Sequence, residues 1–113
     1  MAGKTKGRFY LKKTSNGNLI GEYSNYPETG VFTEGCDLIT PTPDANPNAI
    51  YLGDYASHWQ EGQRPIFANL KIARKPGSTL LFHLKWDGGN GAASFEGEAM
   101  FCDDILVGDY HQT

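Results

Sequence analysis

The chain has 113 residues, enough for a single domain, 1–113, that buries about two thirds of the surface its unfolded form exposes. Fourteen glycines, 12 % aromatic and 20 % charged residues suit a β protein with many turns, and no apolar run nears the roughly 18 residues of a membrane helix. The net charge of −3 is uneven: residues 1–13 hold five cations and no acid, while the rest holds five cations and thirteen acids, −8, a body that repels nucleic acid and anionic membranes.

Residues 1–7 read as a basic arm, and Met1 to Lys13 lacks the apolar stretch of a signal peptide, so the expected location is cytoplasmic. Strands are expected over 8–13 and 18–24, joined by a tight turn at Asn16-Gly17, where both residue types tolerate positive φ. Residues 25–49 hold Pro27, Pro41, Pro43 and Pro47 and read as a long loop with short extended pieces at Val31-Phe32 and Leu38-Ile39-Thr40. So long a connection suggests that it carries function or covers an end of the domain. Further strands are expected over 49–57, 66–74, 79–86, 94–101 and 104–111. The polar stretch His58 to Pro65 reads as a loop, with at most a turn of helix near Ala56–Glu61 or in the long loop. Pro76-Gly77 and Gly88-Gly89-Asn90-Gly91 are turn signals. Seven or eight short strands joined mostly by tight turns predict an all-β fold, an antiparallel meander rolled into a barrel that hides its edges.

One pentapeptide recurs: Leu19-Ile20-Gly21-Glu22-Tyr23, Tyr51-Leu52-Gly53-Asp54-Tyr55 and Leu106-Val107-Gly108-Asp109-Tyr110. Residues 94–101 set its phase, since Phe95, Gly97, Ala99 and Phe101 alternate with Glu96, Glu98 and Met100. By the same alternation Leu80, Phe82, Leu84 and Trp86 face inward in 79–86, and Ile66, Ala68, Leu70 and Ile72 in 66–74. The repeat then points glycine and tyrosine inward and its acid outward. The opposite phase would bury Ile20, Leu52 and Val107 together with three carboxylates, at several kcal/mol for each acid left without a partner. The glycines are expected where strands crowd or the barrel bends.

These segments are similar to the calycin group of barrels, the lipocalin and avidin-like proteins. Leu19–Ser24 and Tyr51–Ser57 resemble early avidin-like strands, and Leu84-Lys85-Trp86 with Phe95-Glu96-Gly97 resembles a later hairpin there. The resemblance implies the fold type and no particular ligand: the only counterpart of the avidin tryptophans is Trp86, and the lipocalin Gly-x-Trp start is missing.

No nucleophile elbow, phosphate loop or zinc spacing is present, so no catalytic residue, metal or cofactor is assigned. His58, His83 and His111 fit no metal spacing, and Asp103-Asp104 reads as a turn. Cys36 and Cys102 are expected as free buried thiols, with a disulfide between them as the alternative. The candidate site is aromatic: Tyr23, Tyr55, Phe82, Trp86 and Tyr110 converge on one interior, with Arg74 near a strand end to meet an anionic group. An eight-stranded barrel is just wide enough to be filled by side chains or to hold one small ligand. Three functions follow: a barrel binding a small apolar or aromatic ligand; an enzyme using His58, Glu61 or an interior tyrosine with Arg74; or a filled barrel serving as an interaction module or homo-oligomer.

Overall fold

The computed structural model describes residues 5–28, 30–88 and 93–113. Eight antiparallel strands follow in chain order: β1 (Lys6–Lys13), β2 (Leu19–Tyr26), β3 (Phe32–Pro41), β4 (Gly53–Glu61), β5 (Arg64–Arg74), β6 (Leu81–Gly88), β7 (Phe95–Cys102) and β8 (Ile105–Gln112). Each pairs with the next, and β1 also pairs with β8, so the sheet is a closed meander barrel without a free edge. Among the described residues there is no α-helix, and no helix is long and apolar enough to cross a membrane.

The turn chemistry is as expected where it is described. Gly17 sits at φ 88° in the β1–β2 turn and Gly77 at 81° before β6. Asp103 and Asp104, both at positive φ, form the two-residue turn between Cys102 and Ile105, a conformation that Asp tolerates better than most residues. The glycine-rich turn 88–91 lies outside the described residues except for Gly88.

Four expectations are corrected. Residues 25–49 are not one long loop. β2 runs to Tyr26 and β3 occupies 32–41, leaving a short 3₁₀ turn, Pro47–Tyr51, before β4. Gly35, the acids Glu34 and Asp37, and Pro41 hide β3 from a propensity reading, yet it alternates: Glu34 and Cys36 are buried while Thr33 and Asp37 are exposed. Its ladder slips at Ile39, a bulge that Pro41 at the strand end does not disturb. Second, His58 to Glu61 extends β4, and the loop shrinks to Gly62-Gln63, with Gly62 at φ 65°. Third, Lys6 and Gly7 belong to β1 rather than to an arm. Fourth, Leu80 is 52 % exposed, because the turn after Pro76-Gly77 holds it outside the ladder that begins at Leu81.

The expected phase of the repeat holds within the strands. Gly21, Gly53, Tyr55 and Tyr110 are buried, whereas Glu22, Asp109, Ile20 and Val107 are exposed. Leu52 is buried although its counterparts are not, since it precedes β4 and packs under the 3₁₀ turn. The glycines are required by backbone approach. A Cβ on Gly21 would lie 1.8 Å from the Tyr10 carbonyl oxygen, and one on Gly108 2.0 Å from that of Glu98. The neighbouring strands can coil this tightly only if those positions carry no side chain.

The interior divides into two halves. At the end holding the β1–β2 and β7–β8 turns it is solid: Leu11, Tyr51, Tyr55, Leu70, Phe82 and Leu106 are fully buried. Tyr51 plugs this end. Its hydroxyl oxygen accepts from the Lys13 backbone N–H (3.1 Å) and its O–H donates to the Asp104 carbonyl (2.7 Å), while its ring meets Phe101 edge-on. The Tyr55 hydroxyl donates to the Tyr51 carbonyl and accepts from Lys13 Nζ, each at 3.0 Å.

The close approach at Gly108 leads to a direct test. Gly108→Ala is expected to lower unfolding free energy by about 1–3 kcal/mol, as overpacked sites do. The neighbouring Val107→Thr, on the solvent face, stays within about 0.5 kcal/mol of wild type. Chemical denaturation of the two variants checks the contrast.

Candidate functional site

At the other end the rings stand apart and enclose a cavity of about 370 Å³. Its walls come from seven of the eight strands: Phe9 on β1, Tyr23 on β2, Phe32 and Glu34 on β3, Trp59 on β4, Trp86 on β6, Phe95 on β7 and Tyr110 on β8. The alternation that packs the closed half carries these side chains inward here too.

The rings touch one another in a nearly continuous circuit. Phe32 stacks on Tyr23 at 5.5 Å, and Tyr23 meets Tyr110 edge-on at 6.3 Å. Tyr110 meets both Phe95 (5.9 Å) and Trp86 (6.2 Å), and Phe95 meets Trp59 at 6.4 Å. Phe9 stands perpendicular to Trp86 at 5.3 Å. Edge-to-face pairs of this kind hold each ring in place. The Tyr110 hydroxyl donates into the β2 end, at Asn25 Oδ1 and the Ser24 carbonyl, and so ties β8 to β2 across the intervening β1.

The floor is polar and rests on one residue. Glu34 projects from β3 into the interior, 5 % exposed. Three donors converge on its Oε2: the Ser57 hydroxyl at 2.5 Å, the Trp86 indole N–H at 2.7 Å and the Cys36 thiol at 3.6 Å. The Trp86 bond reaches from β6, on the opposite wall, so it spans the barrel and marks the base of the cavity. Every hydrogen bond goes to Oε2, and no buried side-chain oxygen is left without a partner among the described residues, so Oε1 is the oxygen turned to the cavity. Burial pushes the Glu34 carboxyl above its usual value, while the three donors and the charge of His58 pull it down without offsetting burial. Burial also raises the Cys36 thiol, and with it the Tyr55 and Tyr110 hydroxyls.

Glu28 and Glu61 stand exposed at the rim, Glu28 between β2 and β3 and Glu61 at the end of β4. The three acids act on the same space. The Tyr23 hydroxyl is pushed up to about 12, first by burial and then by the charges of Glu34, Glu61 and Glu28. No lysine, arginine or histidine lines the cavity among the described residues. Lys6 lies over the Tyr26 ring at 5.3 Å, and Arg64 borders a groove on the outer face.

Of the expected site residues, Tyr23, Trp86 and Tyr110 line this cavity. Tyr55 and Phe82 do not; both are fully buried in the closed half. Arg74 is also at that end, where it pairs with Asp44 at 2.9 Å and lies 5.4 Å over the Phe82 ring. The periodicity assigns all five rings to one face correctly, but a face runs the length of the barrel and its two ends differ. His58 points outward, into the same outer groove as Arg64 and Phe67. Cys36 is buried as expected, whereas Cys102 is exposed at the end of β7, and both are free thiols. Among the described residues no cluster of His, Cys, Asp or Glu could hold a metal ion. Glu34 and Trp59 escaped the sequence reading because their segments read as loops. The signal was present: Phe32, Glu34 and Cys36 alternate, as do Ser57 and Trp59. In comparison with known proteins, no family model, curated protein or solved structure matches this chain.

Because the folded carboxyl of Glu34 is raised above its unfolded value, folding takes up a proton there. The stability this group contributes is full below the usual 4.5 and is lost as pH rises from there through the raised folded value. Glu34→Gln keeps a carbonyl oxygen that can accept from two of the three donors and removes the titration. The stability of this variant relative to wild type is expected to increase from pH 4 upward and then level off. Denaturation across pH checks this; a flat difference would show that Glu34 titrates alike in both states.

Proposed function

We infer that the barrel binds a small, largely apolar or aromatic ligand in the cavity at its open end. The observation that carries this reading is the contrast between the two halves. One half of the interior is packed solid, and the other, built from the same strands, keeps about 370 Å³ between rings and a carboxyl. Small-molecule sites span about 300–1,000 Å³ and pair an apolar lining with a few fixed polar groups. Glu34 Oε1 and the Tyr23 hydroxyl are the polar groups available to orient a ligand. The ring-to-ring contacts pre-organise the walls, which limits the entropy lost on binding.

The closed eight-stranded meander is also the architecture of calycin-like barrels, which favours an interior site over a surface one. That likeness is one of fold and names no ligand.

Titration of ¹⁵N-labelled protein with the neutral fragments indole and p-cresol tests the reading. Shifts are expected at the open ends of β2, β4, β7 and β8 and not around Tyr51. Trp59→Ala, which removes a half-buried wall, should weaken binding about threefold to tenfold, the scale of one aromatic contact. Tyr55→Phe, in the packed half, should leave affinity unchanged. Absence of shifts with either fragment at millimolar concentration would overturn the assignment.

A further inference from the structure

The charge of the cavity narrows the ligand class. Among the described residues, Glu34, Glu28 and Glu61 are its only ionisable side chains apart from the two tyrosines, and all three are acids. Ordinary interiors avoid a carboxyl buried without a cation nearby, because desolvation penalises its charged form. Here the floor is nonetheless built for that charged form. Ser57, Trp86 and Cys36 all donate to one oxygen, Oε2. Three donors exceed the two lone pairs of a neutral carbonyl oxygen and suit an anion. Oε1, the other half of that anion, faces the cavity. Around it stand the rings of Trp86, Trp59, Tyr23 and Phe95, a lining type whose π systems attract a cation. Carboxylate below, aromatic rings around and two more carboxylates at the rim all favour positive charge and disfavour negative charge.

We propose that the cavity is selective for a small organic cation, an ammonium group carried on an aromatic or apolar body, with the ammonium donating to Glu34 Oε1 and the body seated among the aromatic walls. This rests on the interior-site reading above and adds the charge of the ligand to it. The cation completes the half-built ion pair at the floor and holds Glu34 as the carboxylate that its three donors fit. Glu28 and Glu61 act at longer range, attracting cations to the mouth in a way that salt screens.

A matched trio on one ring system separates charge from shape: tryptamine as the cation, tryptophol as the neutral analogue and indole-3-propionate as the anion. Calorimetric titration of the full chain at pH 7.5 is expected to show tryptamine binding about tenfold or more tighter than tryptophol, the scale of a desolvated cation–π contact with a charged hydrogen bond. Indole-3-propionate should bind weakest. Glu34→Gln should erase the preference for tryptamine over tryptophol, with circular dichroism verifying its fold. If Glu34→Gln does not fold, the double variant Glu28→Gln/Glu61→Gln, altered only at exposed rim positions, carries the test. It should reduce tryptamine affinity and flatten its salt dependence without changing tryptophol. Tryptophol binding as tightly as tryptamine would overturn the cation assignment and leave the interior site standing. A tryptamine preference unchanged in both variants would overturn the role of the acids. If none of the three binds and indole produces no shifts, both readings fall together.

Discussion

A closed sheet of eight strands must account for its own interior. The pairing of β1 with β8 removes the edges, and it also fixes the inner radius at a size that side chains can just fill. Whatever does not fill that space becomes a cavity with walls already set. The closed half satisfies the constraint with Tyr51, brought over the barrel end by the 3₁₀ turn and anchored to β1 and to the β7–β8 turn. The open half has no equivalent plug among the described residues. Its rings lean on one another instead of meeting in the centre, and the space between them follows.

The floor that separates the halves carries a desolvation cost at Glu34. An apolar residue in place of Glu34 would fill the same level without the desolvation of a carboxyl, and buried ionisable groups are often neutral or costly compared with apolar replacements. The surrounding residues are nevertheless fitted to it: Ser57 from β4, Cys36 from β3 and Trp86 from the far wall all aim at the same oxygen. Three of those neighbours thus hold one oxygen of a group whose burial is costly. The Tyr23 hydroxyl is raised first by burial and then by the charges of Glu34 and of both rim acids.

Much of this was legible in the sequence, and the exceptions have physical causes. Period-2 alternation in 66–74 and 94–101 set the inward face, and the tight turns at Asn16-Gly17 and Pro76-Gly77 set the antiparallel order. The repeated glycines announced the crowding that a Cβ at Gly21 or Gly108 would meet. β3 was hidden because local propensity speaks against Glu34-Gly35 in a strand, while the tertiary context of β2 on one side and β4 on the other overrides it. Missing β3 meant missing Glu34, since an acid in a supposed loop raises no question. The same reading placed Arg74 and Tyr55 beside Tyr23 and Tyr110. Alternation reports which wall a residue faces and is silent about depth along the barrel.

Depth is what gives the recurring Gly-acid-Tyr unit two different uses. In β4 its tyrosine, Tyr55, lies in the packed half and hydrogen-bonds to the plug. In β2 and β8 its tyrosines, Tyr23 and Tyr110, reach the cavity and meet each other edge-on. The difference arises from where each copy falls along its strand: Tyr55 is the third residue of β4, whereas Tyr23 and Tyr110 are the fifth and sixth of β2 and β8. Antiparallel order then decides the rest. β4 starts at the closed end because the 3₁₀ turn delivers it there, while β2 and β8 start at the closed end and carry their tyrosines farther toward the open one. A single strand grammar, offset by two or three residues, therefore builds the plugged half from one copy and the walls of the cavity from the other two.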